Sequence, residues 1–195
     1  MKWDVRTLTR VAVLAAVSSV LYMIEIPVVA FYKLDLSNMP ALLGGFAMGP
    51  LAGVLILLVK DLTGLLHSST GGIGEIADLL MGAALLLPAV LVYRAKRSRF
   101  GAIIGMLIGT VAIGVAGVLT NYYILIPMFT AFMPMEAIIA AGAAVIPAID
   151  TPVKLVLLIT LPFNLLKGIV LSAVTFVLYK PLAPLLHDKR ADAQN

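Results

Sequence analysis

The stretch LPFNLLKGIVLS, residues 161–172, places Asn164 and Lys167 inside the last long apolar run of the chain. Residues three apart share one face of a helix. An amide both donates and accepts hydrogen bonds, whereas an ammonium only donates. Asn121 lies in a second long apolar run, Lys60 and Asp61 in a third, and Glu75 and Asp78 open a fourth. Polar and ionisable groups at membrane depth are costly, so they face a cavity or a partner and count as functional candidates. What such groups can do is recognise a ligand by hydrogen bonds and charge.

Bland readings stand beside that one. Lys167 can snorkel, although it lies about a dozen residues from the end of its run, or form a structural pair with Asp61 or Asp78. Asn121 and Asn164 can join helices through buried amide bonds. Glu75 fits a capping role at a helix N-terminus, where carboxylates are favoured; Asp78, nearly a turn deeper, fits it less well. His67 reads as a loop residue.

Catalysis finds no support. The chain has no cysteine and two histidines, His67 and His187, so neither thiol chemistry nor a His-pair metal site is expected. No phosphate loop, G-x-S-x-G or H-E-x-x-H motif occurs, and no nucleophile–base pair suggests itself. We expect no catalytic residue, no bound metal and no cofactor, and an external energy source for any uphill work.

The elements that must hold these groups are set by composition. The chain has 195 residues, 62% hydrophobic and 12% charged, with mean hydropathy +1.08. Soluble domains carry about 25% charged residues, so the solvent here is lipid and the expected class is an all-α polytopic membrane protein. Spans need about 20 apolar residues. The pattern predicts helices over about 7–26, 39–48, 50–66, 75–93, 101–129 and 151–179 in one domain covering 1–195. The second is too short to cross alone.

Ten of the 14 basic residues lie on three segments, Lys2, Arg6 and Arg10; Arg94, Lys96, Arg97 and Arg99; and Lys180, Lys189 and Arg190. Seven of the ten acids, Glu25, Asp35, Asp61, Glu75, Asp78, Glu136 and Asp150, fall on or toward the opposite side. The positive-inside rule then predicts six transmembrane helices with cytoplasmic N- and C-termini. These basic clusters are topology signals, and no nucleic-acid partner is expected. Outer loops fall at 27–38, 67–74 and 130–150. Asn121, 20 residues beyond Gly101, sits about 30 Å along its helix, in the outer half.

Small residues form two rows. Gly101, Gly105 and Gly109 repeat every four residues, a spacing that lets helices approach closely. Ala12 and Ala16, with Ala15 and Ser19 beside them, either pack inside the bundle or offer a docking face to another membrane subunit. No inverted repeat relates the halves, unlike many secondary carriers.

Four stretches, KLDLSNMPALLGGFAMGPLAGVLILLVKD (33–61), TGGIGEIADLLMGAALLLPAVLVYRAKR (70–97), GTVAIGVAGVLTNYYILIP (109–127) and LPFNLLKGIVLSAVTFVLYKPLAPLLH (161–187), cover about half the chain. In this order they resemble the substrate-binding S-components of energy-coupling factor (ECF) vitamin transporters, and within them the riboflavin-specific branch. The pairing of NYYILIP with FNLLKG carries most of the specificity. The resemblance implies a six-helix membrane bundle in a prokaryotic cell membrane that captures riboflavin from outside. It also implies a separate module of one transmembrane coupling protein and two cytosolic ATPases, with Ala12 and Ala16 as the docking row. Carried onto this chain, the flavin contacts are Asn121, Asn164 and Lys167, with Asp35 and Leu36 in the covering loop, and Asp78 and Tyr122 beside them. Two positions depart from the expected pattern: Asp61 follows Lys60 where an Asn is usual, and Asp78 stands where an Asn is usual. An S-component for thiamine or biotin and a solitary secondary carrier are the alternatives.

Two amides and one ammonium suit the acceptor–donor–acceptor edge of an isoalloxazine ring. Tyr122, Tyr123 or Phe163 would cover the ring face.

Overall fold

A computed structural model describes residues 4–29 and 32–186. Lys2, His187, Lys189 and Arg190 lie outside the described residues. Helix α1 (Val5–Tyr22) starts at Asp4, whose carboxylate accepts from the Thr7 amide at 2.8 Å, and it ends at the first loop. That loop is not irregular. Strands β1 (Ile26–Val29) and β2 (Tyr32–Leu34) pair antiparallel, with Ile26 opposite Leu34 and Pro27 opposite Lys33. The all-α expectation is thus amended by a small hairpin, whose strands carry the β-branched and aromatic residues Ile26, Val28 and Tyr32.

Helix α2 (Asn38–Met48) is 11 residues long, about 16 Å by rise, against a hydrocarbon core of about 30 Å. It is buried from Asn38 through Phe46 except for half-buried Met39, as expected of a helix apolar all round, and packs on α1, α3 (Pro50–Gly64), α4 (Ile73–Ala95) and α9 (Leu161–Leu186). Gly49 joins α2 to α3 with φ 111°, a left-handed conformation that favours glycine, and Pro50 then opens α3.

Helix α5 (Arg99–Thr120) is capped by Ser98, whose hydroxyl accepts from the Gly101 amide at 3.0 Å. It lies close along α4. A Cβ at Gly105 or Gly109 would fall within 3.0 Å of the backbone oxygens of Ala89 or Leu85, so the α4–α5 contact depends on hydrogen at these positions. Gly101, the third member of the row, faces the Lys96 carbonyl in the preceding loop instead. The chain continues through α6 (Ile126–Phe129), then α7 (Met135–Ala143) in a segment expected to be loop, then α8 (Pro152–Leu155) into α9.

Both long runs contain a widened π turn, at Asn121–Leu125 and at Val156–Thr160. A proline follows two residues after each, Pro127 and Pro162. Proline lacks an N–H and its ring clashes with the carbonyl four residues back, and an extra residue per turn relieves that conflict.

Five helices among the described residues are long and apolar enough to cross a membrane: Val5–Tyr22, Pro50–His67, Ile73–Ala95, Arg99–Phe129 and Pro152–Tyr179. Their exposed faces carry large apolar side chains, among them Leu107, Val111, Val115, Ile169 and Val177. The protein is a multi-pass membrane bundle.

On α1 the small residues divide. Ala15 is buried against the bundle, whereas Ala12 and Ala16 are exposed on its outer face.

Candidate functional site

A cavity of about 440 Å³ opens at the end of the bundle opposite the Arg94–Arg99 segment. Its walls come from the C-terminal end of α1, the hairpin, the loop before α4, and the two π-turned helices. Of the residues expected at the site, Asn121, Asn164, Lys167, Asp35 and Asp78 all line it. They converge from α4, α9, the first π turn and the segment after β2.

The geometry is dominated by a buried ionic network. Lys167 Nζ donates to Asp35 Oδ2 at 2.9 Å and to Asp78 Oδ1 at 2.7 Å. Lys60 Nζ donates to Asp78 Oδ2 and to Asn38 Oδ1, the latter at 2.9 Å. Asn38 Nδ2 in turn reaches Asp78 Oδ1 at 3.3 Å. Asp35 Oδ1 accepts from the amide and the hydroxyl of Ser37, and the Ser37 carbonyl accepts from Ser18 on α1. Lys60 is completely buried and lies 4.9 Å from the centre of the Tyr22 ring. Two cations therefore face three carboxylates. The third, Asp61, has Oδ1 2.9 Å from Lys60 Nζ but no hydrogen bond to either oxygen among the described residues. The expected pairing of Lys167 with Asp78 is present, and the Asp61 pairing belongs to Lys60. Neither Lys60 nor Asp61 reaches the cavity; they brace Asp78 from behind.

Each of the two amides is anchored by one bond to its own helix. Asn121 Nδ2 donates to the Gly117 carbonyl and Asn164 Nδ2 to the Thr160 carbonyl, both at 2.9 Å. Each NH₂ keeps a second hydrogen, and Lys167 keeps a third.

Two residues expected at the site lie away from the cavity walls. Tyr122 is 38% exposed and stacks edge-on against Tyr123 outside the cavity, because the residue after Asn121 is turned about 100° away from it. Leu36 packs against the apolar core rather than lining the cavity, since Asp35 on the alternate side of the chain takes that position. Of the three aromatic candidates for the wall, Phe163 lines the cavity.

Sequence reasoning missed Tyr32 and Tyr22 and favoured a cap for Glu75. The Tyr32 hydroxyl donates to Asn121 Oδ1 at 3.2 Å and also bonds the Thr160 hydroxyl, so one hairpin residue touches both π turns. Its ring packs 5.2 Å from Phe163. Burial pushes the Tyr32 phenol above the usual tyrosine range, and the Thr160 bond opposes this. Glu75 does not cap α4. Ser68 and Thr70 accept the Gly72 and Gly74 amides there, while the buried Glu75 carboxylate lines the cavity and accepts from Ser68 at 2.8 Å and Tyr22 at 3.4 Å. His67, in a single 3₁₀ turn, also lines the cavity. The signal for Tyr32 was an aromatic hydroxyl within a β-prone loop; Glu75 offered no local signal that separates it from a cap.

This arrangement gathers hydrogen-bonding and charged groups around one cavity. The family of ECF transporter substrate-specific components matches residues 6–179. The riboflavin transporter RibU of Staphylococcus aureus is 34% identical over 93% of this chain and 92% of its own. The riboflavin transporter FmnP of Bacillus subtilis is 28% identical over 96% and 97%. A solved structure described as the S component of a bacterial ECF transporter superposes with TM-score 0.73 at 33% identity, covering 93% of this chain and 98% of that one. Such components bind substrate and are not an enzyme class. The chain belongs to the substrate-specific components of ECF transporters.

Proposed function

We propose that this chain captures riboflavin from outside the cell and delivers it inward together with a separate ATP-driven module. The observation that carries this reading is the hydrogen-bonding capacity left over in the cavity. After their internal bonds, Asn121, Asn164 and Lys167 each keep one N–H, and Asn164 Oδ1 takes no hydrogen bond among the described residues. Donors flanking one acceptor complement the acceptor–donor–acceptor edge of the isoalloxazine ring. Phe163, held by Tyr32, offers an apolar face for the ring, and Glu75 and His67 offer polar groups to ribityl hydroxyls. Relatives named for riboflavin, aligned over more than nine tenths of the chain, support this substrate over thiamine or biotin.

In this reading the whole chain is one membrane domain in a prokaryotic cell membrane. Its termini are cytoplasmic and α2 counts as the sixth, shortened helix. The cavity then faces outward and the hairpin is its cover. The partners are a transmembrane coupling protein and two cytosolic ATPases, docked along the exposed Ala12–Ala16 row. Lys167 is both a ligand donor and the counter-ion of Asp35 and Asp78.

The test is the visible absorbance of the detergent-purified protein before any ligand is added, followed by titration with riboflavin. A flavin spectrum near one-to-one, or quenching of added riboflavin fluorescence, is expected. A colourless protein that quenches nothing overturns the substrate and leaves the family intact.

A further inference from the structure

The opposite end of the bundle holds a second cavity, also of about 440 Å³. It lies between α2, α4, α5 and α9, far from the ionic network. Its inner wall is aromatic: Phe46 meets Tyr93 edge-on at 5.1 Å, and the Tyr93 and Tyr179 hydroxyls lie 3.4 Å apart. Met106 completes the apolar lining. Phe176 and Val177, which also line it, are 43% and 69% exposed on the face of α9 that meets lipid. The cavity therefore opens sideways toward the bilayer.

Two features ask for a polar ligand with an apolar body. Thr175 is 1% exposed and lines the cavity, yet its hydroxyl has no hydrogen-bond partner among the described residues. A buried threonine in a helix can bond the carbonyl four residues back, as Thr120 does to Ala116. An unpaired buried hydroxyl is costly, so an acceptor supplied by a ligand would be stabilising there. The second feature is Arg99, exposed at the cavity in the first turn of the 22-residue α5. It makes no ion pair among the described residues, and the α5 N-terminus beside it favours an anion. Met106 lies seven residues along α5, about 10 Å deeper.

We propose that this cavity holds one anionic phospholipid drawn from the bilayer. Its phosphate rests on Arg99 and the first amides of α5. The Thr175 hydroxyl donates to an ester oxygen of the glycerol backbone, and the upper acyl chain lies against Phe46 and Met106. Basic pockets between helices at a membrane surface commonly select anionic headgroups. The site is independent of the ligand assigned to the first cavity.

The test uses the full-length protein in nanodiscs, comparing retained phosphatidylglycerol with phosphatidylcholine by native mass spectrometry. The wild type is expected to retain one phosphatidylglycerol preferentially. Arg99→Gln is expected to weaken that preference roughly fivefold, the worth of one basic residue near the surface. Ala102→Phe, which puts a ring on the cavity wall, is expected to abolish retention with either headgroup. Lys96→Gln, on the same basic segment but outside the cavity, serves as the control and is expected to behave as wild type. Equal loss in Lys96→Gln and Arg99→Gln, or retention unchanged in Ala102→Phe, overturns the proposal: the first reduces it to general surface charge, the second to lipid bound elsewhere or a cavity that takes a partner's side chain.

Discussion

Lys167→Met separates the two roles proposed for the buried ammonium. Its Nζ makes two charge-assisted bonds, 2.9 Å to Asp35 and 2.7 Å to Asp78. Removing it does not affect the two carboxylates equally. Asp78 keeps Lys60 and Asn38, whereas Asp35 Oδ2 loses the cation that paired it and only Oδ1 keeps the Ser37 donors. Breaking a buried pair by removing one partner costs about 3–5 kcal/mol, and the structure assigns most of that to Asp35. The double variant Lys167→Met with Asp35→Asn removes the uncompensated charge, so thermal stability in detergent should recover most of the loss. Riboflavin affinity should not recover with it. A hydrogen bond to a charged group is worth about 1.5–3 kcal/mol, so both variants should bind roughly 10- to 150-fold more weakly by fluorescence quenching. If the double variant regains wild-type affinity, Lys167 is a structural counter-ion alone. If the single variant is as stable as wild type, the ionic network does not carry the weight that its burial implies.

Further outcomes follow from the same geometry. Asn121→Ala and Asn164→Ala should each weaken riboflavin binding roughly 5- to 150-fold, the range for an unsatisfied pocket group, while Tyr122→Ala stays within about twofold; equilibrium quenching distinguishes them. Tyr32→Phe removes the hydroxyl that bridges both π turns and should speed riboflavin dissociation roughly fivefold, about one net hydrogen bond, read by stopped-flow fluorescence; an unchanged rate would show that the hairpin is held by other contacts. Ala16→Trp on the exposed face of α1 should abolish ATP-dependent uptake in cells and leave binding by the purified protein intact, and normal uptake would remove α1 as the docking face.

The parts of the site readable from sequence were those whose evidence is local. Asn164 and Lys167 declare a shared face by spacing alone, and both line one cavity with Asn121. The partners of Lys167 were less accessible, because Asp35 lies 132 residues away and Asp78 lies 89 away. Spacing in a sequence says nothing about which of several carboxylates a distant helix will meet. Tyr122, expected beside the flavin contacts, lies outside the cavity lining although it follows Asn121 directly, because neighbours on a helix point in different directions. The π turns had a local signal in Pro127 and Pro162, each inside an apolar run where an unbroken helix cannot easily hold it. The hairpin had one as well, in the β-branched and aromatic run ahead of Asp35.

These elements explain how the bundle tolerates so many polar groups at membrane depth. Each group proposed to bind the ligand already has an internal partner: a backbone carbonyl for each Asn, two carboxylates for Lys167. None is left as the bare buried charge or amide that would be prohibitive in a low-dielectric interior. Their internal bonds use only part of each group's capacity, so a ligand adds bonds without first breaking any. That predicts an affinity set by complementarity to the leftover donors and acceptor. A flavin analogue methylated on its ring imide nitrogen, unable to offer its one donor to Asn164 Oδ1, should therefore bind more weakly to the wild type, whereas Asn164→Ala should scarcely discriminate between the two ligands. Equal discrimination by both proteins would place the flavin edge elsewhere in the cavity.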